Sequence, residues 1–435
     1  MLYDSCLSLP YFRLAALAAI HYAAAAQDAE RAVPIAERSM PQAPYPELSP
    51  SPRLLLGPGP SNVHPRVLRA LGKPLLGYLD PEFLAILDEI AAMLREVYGL
   101  ERGLALPISG TGGAGMEAGL ANLLEPGDTA VIGVNGFFGE RLALIAARHG
   151  ASVVTVNAEW GRVLDPDAVH EEMRRQDRVK LLAVVHAETS TGALQPLQEL
   201  AAIAHEREAL LLVDAVTSLG GSPLSMNETG IDFAYSATQK CLGAPPGLSP
   251  FALSGRALEA LAQRRQPPAT WYLDLALLRQ YWEGPNRVYH HTPPVPLLYA
   301  LHEALRLVLE EGLEARFARH QRHGHALRAG LEALGLRLLV PESYCTPQLT
   351  AVLVPEGLDE AALRGTLREE HNIEIGGGLG QLRGRVWRIG LMGESSNAAN
   401  VLVLLAALEA LLPRFGFEVP SGAGVAAASR ELGRR

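Results

Sequence analysis

Apolar residues gather into short runs of strand length, separated by longer stretches with helical periodicity. Thr129–Val134, Ser152–Val156, Leu181–Val185, Leu210–Val213 and Phe233–Tyr235 are dominated by apolar side chains at successive positions. Strands of that kind are buried on both faces, as in a largely parallel sheet sandwiched between helices, so the expected class is α/β. In such sheets a ligand sits at the carboxyl ends of the strands, and the residues that follow each run are where chemistry is to be sought. Leu297–Leu309, with apolar residues at 297, 301, 305 and 308, reads as a long helix. The chain then changes character: Gln321–Leu334 helical, Thr350–Val354 a strand, Glu360–Glu369 a helix, Val386–Ile389 a strand and Ala398–Leu411 a helix. That succession describes a smaller α+β domain.

The resulting division is a large domain with an N-terminal arm over 51–310, a small C-terminal domain over 311–414, and a Gly-, Ala- and Ser-rich flexible tail over 415–435. Residues 1–50 stand apart as an extension that is disordered or belongs to a start placed too early, with Met40 as an alternative start. Their apolar run Leu14–Ala26 is too short to cross a bilayer, and with Asp4 and Arg13 but no basic cluster before it, it makes a poor export signal.

Charge and cysteine usage narrow the function. The formal net charge is −9 and the basic residues are scattered, which excludes a phosphate-backbone or anionic-membrane binder. Cys6, Cys241 and Cys345 are few and far apart, without zinc-ligand spacing, which fits a reducing, cytoplasmic setting. Of the 38 basic residues only Lys73, Lys180 and Lys240 are lysines, so amine chemistry has three candidates.

Three segments carry that chemistry. Ser109-Gly110-Thr111-Gly112-Gly113 runs into a helix, offering free amides and hydroxyls to an anion. Asp214 ends an apolar strand, where it either caps the next helix or holds a cation such as a pyridinium nitrogen. Lys240 follows another strand end and is flanked by Ser, Thr, Gln and Cys. Burial there lowers a lysine's pKa and frees its amine to attack a carbonyl. Lys73 and Lys180 read as solvated surface charges. A phosphate cradle, a carboxylate and a strand-end lysine on one sheet point to pyridoxal 5′-phosphate.

At this point the sequence resembles the fold-type I, class V aminotransferases, and among them the alanine–glyoxylate and serine–glyoxylate (serine–pyruvate) enzymes. The matching stretches are Leu54–Asn62, Ser109–Glu117, His186–Gly192, Asp214–Gly221, Ser236–Gly247, Tyr289–Thr292 and Arg388–Leu391, spread over residues 51 to 414. The resemblance implies a mostly parallel seven-stranded sheet and a homodimer with shared sites. It implies Lys240 as the lysine that carries the cofactor and moves the substrate proton, and Asp214 as partner of the pyridinium nitrogen. Val216 and Phe138 are implied on the two ring faces, and Thr189 on the phenolic oxygen. Thr111, Gly112, Gly113 and Gln239 are implied at the phosphate, joined from the neighbouring subunit by Tyr289 and Thr292. Arg388, with Gly59 of the arm, is implied to take the substrate, its guanidinium gripping the α-carboxylate in a two-pronged bond that lysine cannot reproduce. The Leu54–Asn62 arm is expected near the partner's site. Three positions depart from the family pattern: Phe138 stands where members often have Trp, a conservative change, Tyr78 where many relatives have His, and Gly113 where others have Ser or His. The adjacent His290 and His291 are read as structural, with no metal site.

The implied reaction is transfer of an amino group from alanine or serine to glyoxylate, with (S)-ureidoglycine as the alternative donor. Two further readings compete. A cysteine desulfurase needs a mobile nucleophilic thiol, for which Cys345 is the only candidate by position, and its surroundings do not match that motif. A non-catalytic cofactor-binding protein is disfavoured by the joint presence of Lys240, Asp214 and Arg388.

Overall fold

Seven strands build the central sheet: β1 (Gly103–Ser109), β2 (Thr129–Val134), β3 (Ser152–Asn157), β4 (Leu181–Val185), β5 (Leu210–Asp214), β6 (Phe233–Tyr235) and β7 (Leu248–Ser254). Their order is β1-β7-β6-β5-β4-β2-β3. Pairs among β2 to β6 are parallel, while β7 is antiparallel to both of its neighbours, so β1 runs with the others. The carboxyl ends of β1, β2, β4, β5 and β6 therefore share one edge. The structure is a computed structural model that describes Tyr45 and residues 47–434. The extension expected over 1–50 lies outside the described residues apart from Tyr45 and residues 47–50. Arg53–Arg435 forms a compact unit of its own.

β1 and β7 are the strands that hydrophobic patterning misses, because each carries a proline. Pro107 and Pro250 face each other in register, and β1 is the sheet edge, where a missing N–H is tolerated. Helices cover both sheet faces. α1 (Pro81–Tyr98) starts at Asp80, whose side chain accepts from the Glu82 amide, and stops at Gly99 in the left-handed conformation. It buries Phe83, Leu87, Ile90 and Leu94 along one stripe, and Phe83 meets Tyr299 of α4 (Val295–Glu311) edge-on at 6.4 Å between ring centres. α2 (Gly112–Leu123) and α3 (Phe137–Arg148) follow β1 and β2 directly, so both helices begin at the ligand edge.

A second hydrophobic core, separate from that around the sheet, is formed by α5 (Leu313–Ala333), α6 (Ala398–Leu411) and the small sheet of β8 (Leu349–Leu353), β9 (Gly376–Gly377) and β10 (Val386–Gly390), ordered β8-β10-β9. Leu56 of the arm belongs to this core, and Leu54–Leu55 pairs in parallel with Ile373–Glu374. The arm that sequence groups with the large domain thus packs with the small one.

The tail corrects the sequence reading more plainly. Residues 415–435 were expected to be flexible, yet Ala423–Gly433 forms helix α7, with Ala428 fully buried. Its small residues are the reason. A Cβ at Gly330 of α5 would fall 2.3 Å from the Leu405 side chain of α6 and 3.0 Å from the Gly424 carbonyl, so α5 lies against the backbone of α7 and under a side chain of α6. Glu409 of α6 also accepts from the Gly422 and Val425 amides at 2.9 and 3.0 Å, securing the start of α7. Gly330→Ala should overpack this junction and destabilise by about 1–3 kcal/mol, read as a lowered thermal midpoint. An unchanged midpoint would show that the tail helix is not held there.

Candidate active site

Lys240 lies in the Ser236–Gly247 turn from β6 to antiparallel β7, which keeps it at the ligand edge. Its side chain is buried, and Nζ donates to the Pro58 carbonyl. The arm is tied to the same turn: the Ser61 amide donates to the Gln239 carbonyl at 2.9 Å, and Ser61 Oγ to that of Lys240 at 3.0 Å. Gly59 has φ +114°, and a Cβ there would sit 2.8 Å from Nζ, so glycine leaves the space around the amine clear. The arm therefore serves the Lys240 of its own chain. Its pairing with Ile373–Glu374 anchors it here.

Burial is the main reason that the Lys240 pKa falls to about 8, and the nearby Arg388 cation adds to it. At neutral pH such a shift enlarges the uncharged fraction by roughly a few hundred-fold. Asp214 closes β5 in register with Tyr235 of β6. Its Oδ1 accepts from the Val216 amide at 2.9 Å and its Oδ2 from the Tyr235 hydroxyl at 2.5 Å. Burial pushes its pKa up to about 6, against the pull of those two donors and of Lys240 and Arg141. A cationic group facing it would lower that pKa again and hold it more fully ionised.

Arg388 enters from β10 of the small sheet. Nε donates to the Gly377 carbonyl at 2.7 Å and Nη1 to that of Thr189 at 3.1 Å, leaving Nη2 outside both bonds. Burial lowers its pKa to about 10, with Glu188 opposing, so it stays charged at neutral pH. Thr189 Oγ1 meets Thr217 Oγ1 at 2.5 Å. Phe138 lies beside the site at the start of α3, edge-on to Phe137, and the Arg141 guanidinium sits 5.0 Å from the centre of each ring.

Thr111 precedes α2 without capping it, so the amides around Gly112 and Gly113 are open to an anion. Gln239 Oε1 is buried and has no hydrogen-bond partner. These features fit a phosphorylated aromatic aldehyde. The helix start suits the phosphate, the lowered amine suits the carbonyl, and the buried carboxylate suits a ring nitrogen.

Tyr289 and Thr292 stand apart. They bond to each other at 3.1 Å, and Tyr289 packs on Tyr78 with ring centres 5.2 Å apart, both rings partly exposed. Among the described residues no hydrogen bond joins them to Thr111, Gly112 or Gly113 of the same chain. The neighbouring histidines are structural: His290 stacks on Trp271 at 4.3 Å, and His291 Nε2 meets Ser109 Oγ at 2.7 Å. Cys345 bridges to Ala193 and donates to the Val340 carbonyl, and burial raises its pKa, the opposite of an activated thiol.

Sequence reasoning missed four contributors. Tyr235 meets Asp214 only through the β5–β6 register. Arg141 reaches the site because it lies one helical turn beyond Phe137. Arg316 of α5 donates to the carbonyls of Gly220 and Cys241 at 3.0 and 2.5 Å and so braces the turn that carries Lys240. Glu188 is wholly buried, with its pKa pushed up to about 7 by that burial. The first two had a signal in the position of their residues beside recognised motifs, whereas Arg316 had none.

The chain is similar to known proteins in sequence and in fold. The family model for aminotransferase class-V matches residues 76–382. An (S)-ureidoglycine–glyoxylate transaminase of Bacillus subtilis is 41% identical, over 86% of this chain and 94% of that protein. An alanine–glyoxylate aminotransferase of Callithrix jacchus is 43% identical, over 86% of this chain and 90% of its own length. The solved structure of an alanine–glyoxylate aminotransferase from Nostoc sp. superimposes with a TM-score of 0.83 at 50% identity, covering 85% of this chain and 98% of the other.

The lowered Lys240 pKa predicts how the cofactor-free protein reacts with pyridoxal 5′-phosphate. Only the neutral amine attacks, so the attachment rate should rise with pH through a midpoint near 8, and Arg388→Leu should move that midpoint upward. A midpoint near the ordinary lysine value in the unmodified protein would contradict the site's electrostatics.

Proposed function

The chain belongs to the class-V aminotransferases, and from that premise we propose that it moves an amino group from alanine or serine to glyoxylate, giving glycine and the matching 2-oxo acid. It is a pyridoxal 5′-phosphate enzyme. When bound, the cofactor supplies the sink for the electron pair left at the substrate α-carbon. Lys240, whose uncharged fraction burial enlarges, would take the α-proton on Nζ as a general base and, as the acid, would deliver it to the cofactor carbon that had been the aldehyde carbon. Asp214, with Tyr235 donating to its far oxygen, holds positive charge at the ring nitrogen. Arg388 receives the substrate α-carboxylate with the edge of its guanidinium that the two carbonyls leave free, which orients the α-carbon toward Lys240. Thr111, Gly112, Gly113 and Gln239 take the phosphate, Thr189 the phenolic oxygen, and Val216 and Phe138 the two ring faces.

The observation that carries this reading is the meeting of Lys240, Asp214 and Arg388 at one buried sheet edge, with Arg388 delivered from the other core and tied to Thr189. Alanine is favoured by the relatives that are named alanine–glyoxylate aminotransferases. (S)-Ureidoglycine is the second reading, favoured by the Bacillus subtilis ureidoglycine–glyoxylate aminotransferase structure, which superimposes with a TM-score of 0.87 at 42% identity over 89% of this chain and all of that one.

The active unit in this reading is a homodimer. Leu75, Trp271, Tyr272 and Tyr289 are large and well exposed near the segment that resemblance assigns to the partner's phosphate site. A second copy would cover them and bring Tyr289 and Thr292 to the open start of the other chain's α2. The cytoplasm suits Cys241 and Cys345, both unpaired.

A panel of amino donors with glyoxylate, compared as kcat/KM, tests the substrate assignment. Alanine or serine should lead; a lead for ureidoglycine would transfer the assignment to purine-type donors, and no turnover with any would reject it. Lys240→Ala should lower turnover by at least about 10²–10⁴-fold while the cofactor remains bound through its phosphate. Sedimentation should give a dimer, and a fully active monomer would refute the shared site.

A further inference from the structure

α3 begins with an unusual cap. The residue before it, Gly136, has no side chain to accept from the first amides, which would otherwise be orphaned. Two residues from the loop after β4 replace it. Ser190 Oγ accepts from the Phe137 amide at 3.0 Å, and Glu188 Oε2 accepts from the amides of Phe138 and Gly139 at 3.2 and 3.4 Å. The other carboxylate oxygen, Oε1, accepts from the Ser190 amide at 2.9 Å and from its hydroxyl at 2.6 Å. All of these partners donate, which is the arrangement of a carboxylate rather than an acid. Gly136 is required for this approach: a Cβ there would lie 2.3 Å from Glu188 Cγ and 2.6 Å from Ser190 Oγ.

The same tripeptide touches the rest of the site. Between Glu188 and Ser190, the Thr189 carbonyl accepts from Arg388 and its hydroxyl meets Thr217. A single buried loop therefore fixes the start of the helix bearing Phe138 and the arginine arriving from the small sheet.

We propose that Glu188 is a positioning residue for the cofactor: acting with Ser190 as an external cap on α3, it fixes the height and tilt of Phe138 against the ring of pyridoxal 5′-phosphate. It touches neither the cofactor nor the substrate and acts through the backbone of Phe138. The proposal rests on the reading that Phe138 stacks on the ring. Glu188→Gln is the informative change, since it keeps the shape and one acceptor oxygen. In either orientation of the amide, its NH₂ group confronts N–H donors where the carboxylate accepted them.

The test is a double-mutant cycle on the affinity of the cofactor-free protein for pyridoxal 5′-phosphate, with visible circular dichroism of the bound cofactor reporting the ring's pose. Phe138→Ala should weaken binding by about tenfold, and Glu188→Gln by about three- to tenfold with a changed dichroic band. In the Phe138→Ala background Glu188→Gln should have no further effect, because its action runs through that ring. If Phe138→Ala leaves affinity intact, the stacking assignment itself is wrong. If Phe138→Ala weakens binding but Glu188→Gln does not, or if the two factors multiply, stacking stands and the positioning role is overturned. Should Glu188→Gln fail to fold, Ser190→Ala, which removes one acceptor and one donor of the same cap, runs the cycle with the same expectations at smaller amplitude.

Discussion

The site depends on one constraint: an amine that must be uncharged and a carboxylate that must be charged share the same buried sheet edge. Burial disfavours the charged form of both, pushing Lys240 down to about 8 and Asp214 up to about 6. The protein separates their fates by what it places beside each. Lys240 gets a cationic neighbour in Arg388, which reinforces burial. Asp214 gets two hydrogen-bond donors, Tyr235 and the Val216 amide, which oppose it. A cationic ring nitrogen completes the second arrangement, so the carboxylate is most fully ionised when the cofactor is in place.

That electrostatic arrangement needs both cores. Arg388 comes from the small sheet and is held by Thr189 of the large one, while the Lys240 turn is braced from behind by Arg316 of α5 and from above by Ser61 of the arm. Arg319 adds a further tie, bonding Glu311 and the carbonyls of Gly393 and Ser396. The reacting groups are thus positioned by backbone carbonyls and buried guanidinium groups from elements remote in sequence. Arginine suits these sites because one planar fork reaches two carbonyls at once.

The sheet edge was legible in sequence because each of its parallel strands is a short apolar run ending at a polar residue. β2, β4 and β6 match the observed bounds, and β5 extends by Asp214 alone. β1 and β7 were hidden by Pro107 and Pro250, whose mutual pairing is a tertiary fact. Lys240, Asp214 and Arg388 were legible because their residue types and strand ends carry chemistry. Arg316 was not, since its partners are set by the packing of α5; Tyr235 stands beside the Ser236–Gly247 motif, but its bond to Asp214 is set by register. Glu188 was hidden because Gly136, at the start of α3, has no side chain to advertise a cap, and the cap comes from residues some fifty positions later. The tail was misread because its Gly and Ala content signals flexibility when solvent-exposed and close packing when a neighbouring helix offers Gly330.

The central claim is that Lys240, alone among three lysines, is the amine of this active site. Borohydride reduction of the holoenzyme followed by peptide mass mapping tests it most directly. A pyridoxyl group should be fixed on the peptide containing Lys240 and none on Lys73 or Lys180; a label on either of those, with Lys240 unmodified, would overturn the assignment.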